Sequence, residues 1–240
     1  MPSSNRFGIK ALAFDVFGTV VDWRSSIICE GAQWGRAKNL SVDWAAFADR
    51  WRAGYMPTLN KVRTGALPWT KLDALHRSIL DELLVEFKIP GLTETEKDHW
   101  NRVWHRLAPW PDAVEGLERM RPKYVLATLS NGNLSLLTNM AKFSRLPWDA
   151  VLGGDLFRHY KPDREVYLGA VDLLSVRPEE LMLVAAHPYD LEAAKSHGLS
   201  TALVPRPMEY GPEKAAAAPT SCAAADVTAK DFVELAEKLG

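Results

Sequence analysis

Short apolar runs of strand length recur along this chain at residues 9–14, 124–129, 150–152, 181–185 and 201–204. A run of that length without polar alternation marks a strand buried on both faces. Between the later runs, apolar positions recur at helical spacing over 134–143, 165–174 and 191–197. Strand and helix in alternation predict an α/β fold built on a doubly wound parallel sheet. Residues 23–110, between the first run and the second, carry no strand-like run. There Trp44, Phe47, Trp51, Tyr55, Leu59 and Val62 recur at spacings of three and four, as do Trp69, Leu72, Leu75, Ile79, Leu83 and Phe87. This segment reads as an inserted α-helical unit, with Ser41 as the cap of the first of these helices. The expected division is a core of 1–22 and 111–240 and a helical insert of 23–110. The tail 211–225, rich in Ala and Pro, reads as a surface loop before a last helix over 229–239.

All nine tryptophans but Trp148 fall in the insert. A small helical bundle needs bulky side chains for its core, and that accounts for most of them. Rings that face the sheet instead would wall off an apolar cavity, and the two readings apply to different residues.

Composition narrows the classes of function. With 240 residues, 47% hydrophobic and 25% charged, the chain can bury a substantial core. Basic and acidic residues balance at 29 and 30, so no bulk charge favours nucleic acid or an anionic membrane. The two cysteines, Cys29 and Cys222, lie far apart with no metal-ligand spacing. Residues 1–6 show no apolar signal segment, and no run reaches the length of a membrane span. A cytoplasmic protein is the expectation.

The chemistry concentrates where strands should end. The first run, Ala11 to Phe14, stops at Asp15, and Gly18-Thr19 follows. Ligands bind at the carboxyl ends of strands in open α/β sheets, so Asp15 is placed either as a pocket nucleophile or as the cap of a following helix. The second run ends in Ser130-Asn131-Gly132, a turn offering a hydroxyl, an amide and backbone N–H groups. Lys161 precedes Pro162, read here as a helix start, and is otherwise a solvated lysine. The fourth run ends in Ala185-Ala186-His187-Pro188-Tyr189-Asp190, with Asp190 as a second carboxylate or a helix cap.

Taken in order, Asp-x-x-Gly-Thr, Ser-Asn-Gly, Lys-Pro and a late Asp resemble the haloacid dehalogenase superfamily. Within it the chain is most similar to the type II (L-)2-haloacid dehalogenases. The resemblance spans nearly the whole chain and implies a Rossmann-like core with an inserted helical cap domain. Most of the superfamily are magnesium-dependent phosphohydrolases that carry a second Asp two residues after the nucleophile. Here that position is Phe17, which can neither give nor take a proton. Their late motif, Gly-Asp-x-x-x-Asp, is reduced to Ala185, Ala186 and Asp190, which weakens a magnesium site. A departing halide needs no proton, only a nucleophile and a polar cradle. The resemblance therefore implies a metal-independent, cofactor-free hydrolase of 2-haloacids. A magnesium-dependent phosphohydrolase and a non-catalytic binding member are the alternatives.

By similarity, Asp15 forms an ester with the substrate, and Thr19, Ser130 and Lys161 orient and charge-balance it. Asp190 holds Lys161 or activates the hydrolytic water. Asn131 helps receive the halide, and Tyr167 supports the lysine and the pocket. Arg52 on the cap matches an arginine facing the halide or the substrate carboxylate, its alternative being a snorkelling side chain at the bundle edge. Trp69 or Leu67 stands near a cap residue of the pocket wall. The chain departs from the commoner pattern at Phe17, where Tyr is frequent, and at Ala185 and His187, where a Ser and an Asn are usual. Three roles are open for His187: binding the halide, assisting the water, or bonding its own loop. An imidazole there also narrows the pocket, which suits a small ion such as fluoride. The partner implied is a small halogenated carboxylic acid, with the protein itself a homodimer.

Overall fold

The computed structural model describes residues 8–240. Residues 1–6, read above as free of an apolar signal, lie outside the described residues. Strand β1 (Ala11–Phe14) is followed by a two-residue strand, β2 (Val21–Asp22), which pairs antiparallel with β3 (Ala108–Pro109). The later strands are β4 (Val125–Ser130), β5 (Ala150–Gly153), β6 (Leu181–Ala185), β7 (Ser200–Leu203) and β8 (Val227–Thr228). The main sheet is six-stranded and parallel, in the order β5–β4–β1–β6–β7–β8. All five expected runs form strands. None of the two-residue strands β2, β3 and β8 was expected, since two residues carry no periodicity. The insert thus does contain a strand, and the β2–β3 ribbon brings its entry and exit side by side.

Four α-helices lie between β2 and β3, namely α1 (Trp23–Lys38), α2 (Trp44–Arg63), α3 (Leu72–Glu86) and α4 (Glu94–Asn101), followed by a 3-10 helix at Arg102–His105. The cap of α2 is Asp43, whose carboxylate accepts from the N–H groups of Ala45 and Ala46. Ser41 sits too early, because a capping oxygen must stand directly before the first helical turn. Thr93 and Glu96 form a reciprocal capping box on α4, which its sparse apolar pattern concealed. Trp34, Trp44, Trp51 and Trp100 pack on one another inside this bundle. Trp104 instead reaches the core, its ring 5.8 Å from Phe17.

The remaining helices, α5 (Ala113–Met120), α6 (Leu134–Ser144), α7 (Gly154–Phe157), α8 (Arg164–Leu173), α9 (Pro188–Ser196) and α10 (Phe232–Leu239), accompany the sheet. Both faces of β1 are buried. Phe14 lies 5.3 Å from the rings of Trp148 and Phe232, while Ala11 and Ala13 share the opposite core with Val166 and Tyr167. Pro162 does not open α8, whose N-cap is Asp163. Since β4 and β6 flank β1 on opposite sides, the strand order reverses at β1. The crevice beyond its carboxyl end is where such sheets bind ligands, and Asp15 is the next residue.

Candidate active site

Asp15 donates its backbone N–H to the Val184 carbonyl at 3.0 Å, which fixes it at the sheet edge between β1 and β6. Its two carboxylate oxygens have unlike surroundings. Oδ1 faces Lys161 Nζ at 3.3 Å. Oδ2 accepts from Thr19 Oγ1 at 2.6 Å and lies 3.1 Å from His187 Nδ1. Thr19 is aimed, because its own oxygen already accepts the Ala186 N–H at 2.9 Å. Lys161 Nζ also meets Asp190 Oδ2 at 2.5 Å, and Asp190 Oδ1 accepts from the Tyr167 hydroxyl at 2.7 Å. One ammonium thus stands between two buried carboxylates.

These contacts set the charges. Burial works to raise the Asp15 carboxyl, but Lys161 and His187 outweigh it and hold the group ionised, below the usual carboxylate range. Burial likewise opposes the Lys161 charge, and Asp190 with Asp15 more than restores it. Asp190 differs: burial pushes its carboxyl up despite Lys161. Tyr167 stays a phenol, raised by burial and by Asp190.

His187 makes two contacts that the sequence does not announce. Besides Asp15, it reaches the Glu209 carboxylate through Nε2, at 2.9 and 3.2 Å. Glu209 is buried on the loop after β7 and takes a further hydrogen bond from Trp23 Nε1 at 3.1 Å. Burial would neutralise His187, but Glu209 and Asp15 push its pKa up to about 10. Gly18 makes room for this carboxylate. A Cβ there would lie 2.2 Å from Glu209 Oε1, and the φ of +86° is itself a glycine conformation. Glu209 matches no motif; the only signal was an acidic residue between Met208 and Tyr210 after an apolar run.

The other expected residues divide. Asn131 bridges core and insert, its amide donating to the Tyr55 hydroxyl at 3.0 Å and accepting the Lys161 N–H at 2.7 Å. Ser130 accepts the Gly132 N–H at 3.1 Å, so its hydroxyl shapes the turn. Phe17 packs edge-on against His76 and Trp104. Arg52 does not snorkel. Its guanidinium lies 4.4 Å from the Tyr55 ring and 5.6 Å from that of Trp23, and Nη1 is buried with no hydrogen-bond partner. A pocket of about 320 Å³ lined by Trp23, Arg52, Tyr55, Met56, Tyr189 and Tyr210 borders the cluster, with Tyr189 stacked 5.6 Å from His187. Trp69 stands elsewhere, its ring 4.8 Å from Tyr160 in a separate small pocket with Arg63 and Asp163. It precedes α3 rather than belonging to it, which is why helical spacing misplaced it.

The residues do not fit magnesium. That ion requires an octahedral oxygen shell, while Ala185, Ala186 and Phe17 offer no side-chain oxygen. Lys161 already occupies the space between Asp15 and Asp190 with a positive charge. Among the described residues, no group of three or more His, Cys, Asp or Glu side chains is arranged to hold a metal ion.

A family model for haloacid dehalogenase-like hydrolases matches residues 9–198. The (S)-2-haloacid dehalogenase 4A of Burkholderia cepacia is 31% identical over 209 residues, covering 84% of this chain and 87% of that protein. Among solved structures, a defluorinating L-2-haloacid dehalogenase superposes with a TM-score of 0.91 at 45% identity, over 96% of this chain and 95% of that one. Another L-2-haloacid dehalogenase gives 0.92 at 44% identity, over 96% and 98%.

Proposed function

The chain belongs to the haloacid dehalogenase-like hydrolase family, and from that premise we propose that it hydrolyses (S)-2-haloacids to 2-hydroxyacids. Asp15 attacks the carbon bearing the halogen, the halide leaves with the bonding pair, and an aspartyl ester forms. Water then adds to the ester carbonyl, and the hydroxyacid leaves with inversion at its carbon. The observation that carries this reading is Lys161 between Asp15 and Asp190, with Phe17 where an acid for a leaving alcohol would stand. Such a site activates a carboxylate and, with Phe17, carries no acid two residues after it for a leaving alcohol, which suits a halide. Thr19 orients Asp15 and Lys161 balances its charge, Ser130 holds the turn that carries Asn131, and Tyr167 supports Lys161 through Asp190. Asp190, raised by burial, is the base that takes the proton of the water.

Residues 23–110 act as the cap over a core of 1–22 and 111–240, with the substrate between them. No helix among the described residues is long and apolar enough to cross a membrane. We read the protein as cytoplasmic, from two cysteines without a disulfide, and as a homodimer by family resemblance.

Halide release from 2-haloacids in chelator-treated buffer tests the proposal. Release should continue unchanged when metal is removed. Activity lost to chelator and restored by magnesium would sink this reading in favour of the phosphohydrolase. A second expectation concerns Arg52, whose unpaired buried nitrogen suits the halide or the substrate carboxylate. Arg52→Ala should lower kcat/KM by about 10²-fold with little change in thermal unfolding. Arg52→Lys should recover only part, since lysine lacks the planar fork. Normal kinetics in the alanine variant would assign Arg52 to packing.

A further inference from the structure

His187 stands where the resemblance expects an Asn, Glu209 is its second carboxylate partner, and their geometry bears on the second half of the reaction. We infer that the His187 side chain, with Thr19, forms the oxyanion cradle for hydrolysis of the Asp15 ester, and that Glu209 is the positioning residue that keeps it charged. The inference rests on the aspartyl-ester reading and adds to it.

The two oxygens of Asp15 decide which one attacks. Oδ2 is already engaged by Thr19 at 2.6 Å and His187 at 3.1 Å, whereas Oδ1 has only the longer Lys161 contact at 3.3 Å. The freer lone pairs are on Oδ1. When Oδ1 bonds to substrate carbon, Oδ2 becomes the carbonyl oxygen of the ester. Water then adds to Asp15 Cγ, its proton passes to Asp190, and the carbonyl electron pair moves onto Oδ2. The negative charge therefore develops on the atom that faces Thr19 and His187. As the pair returns, the bond from Cγ to Oδ1 breaks, and the departing alkoxide takes the proton from Asp190. The water's second proton, left on the Asp15 carboxyl, is released to solvent as Asp15 regains its charge. Donors fixed at the position of the developing charge are among the largest contributions to such steps.

Both ring nitrogens of His187 face carboxylates, which accept and cannot donate. The ring is therefore protonated at both nitrogens and is not a base toward water. Before the ester forms, Asp15 and Glu209 share the imidazolium. Esterification removes the Asp15 charge, and Glu209 alone remains in contact to hold the proton. The groups around it support that division. Lys161 and Asp190 lie beyond Asp15, Tyr189 stacks on the ring, and Arg52 acts on Glu209 and holds it ionised together with His187 and Trp23.

Glu209→Gln tests this by rapid quench and mass analysis of the Asp15 peptide, with excess enzyme. The ester should disappear about 10²-fold more slowly, a loss well beyond any slowing of its formation. Its hydrolysis in the variant should weaken as pH rises through the lowered His187 pKa. Ester hydrolysis that quickens over that range would make His187 a base and overturn the inference, as would equal slowing of both steps. If Glu209→Gln does not fold, nitrogen NMR of the wild-type His187 ring at pH 8 carries the decision. Two protonated nitrogens support the cradle, and a neutral ring overturns it. If wild-type enzyme forms no ester while releasing halide, the aspartyl-ester reading fails instead.

Discussion

Asp15→Asn should extinguish halide release, by roughly 10⁴-fold or more, because the amide has neither the charge nor the free lone pair of the nucleophile. Loss of activity alone does not separate a nucleophile from a base. An isotope does. If Asp15 attacks carbon, the oxygen reaching product in the first cycle comes from Asp15, and solvent oxygen enters the carboxylate. A single turnover of excess wild-type enzyme in heavy-oxygen water should therefore give unlabelled hydroxyacid and a labelled Asp15 peptide. Label directly in that product, with none on Asp15, would mean that water attacks the substrate. The geometry favours the first result, since Lys161 and His187 hold Asp15 ionised with Oδ1 facing only Lys161.

Lys161→Met should cost both activity and stability. The substitution leaves two carboxylates with side-chain exposures of 13% and 1% without their shared cation. Breaking a buried pair in this way costs about 3–5 kcal/mol, visible as a lowered midpoint in denaturant or heat. The pH dependence follows in sign. Burial already places the Asp190 carboxyl above its ordinary value, and without Lys161 it rises further. A carboxyl with a raised folded pKa contributes stability below its unfolded value, about 4, and that contribution is lost as pH rises through the folded pKa. The variant's deficit against wild type should thus be smallest in acid and grow toward neutrality. A variant as stable as wild type at pH 7, with no such slope, would show that Lys161 does not balance these charges.

Most of the sheet was legible because its strands are buried on both faces and so read as unbroken apolar runs. Asp15, Lys161 and Asp190 were legible because the chemistry sits at strand ends, where local sequence and the fold coincide. Legibility fails where the cause is tertiary. Glu209 pairs with His187, Trp23 and the space above Gly18, and no local pattern links a loop after β7 to a turn after β1. Helical spacing carried Trp69 into a helix that begins at Leu72. Asp43 rather than Ser41 caps α2 because capping depends on the first helical residue, which periodicity locates only to within a turn.

Gly18 and Glu209 have a consequence for exchanging parts between relatives. The space a side chain at position 18 would fill is filled by a carboxylate from the far end of the chain. The two positions therefore form a single steric unit whose halves are encoded 191 residues apart, as their numbers give (209 − 18). A nucleophile loop with any larger residue at 18, grafted into this scaffold, displaces Glu209 and disarms His187 with both of those residues unchanged. A chimera keeps its chemistry only if both halves travel together, so crossover points placed anywhere between them separate a matched pair.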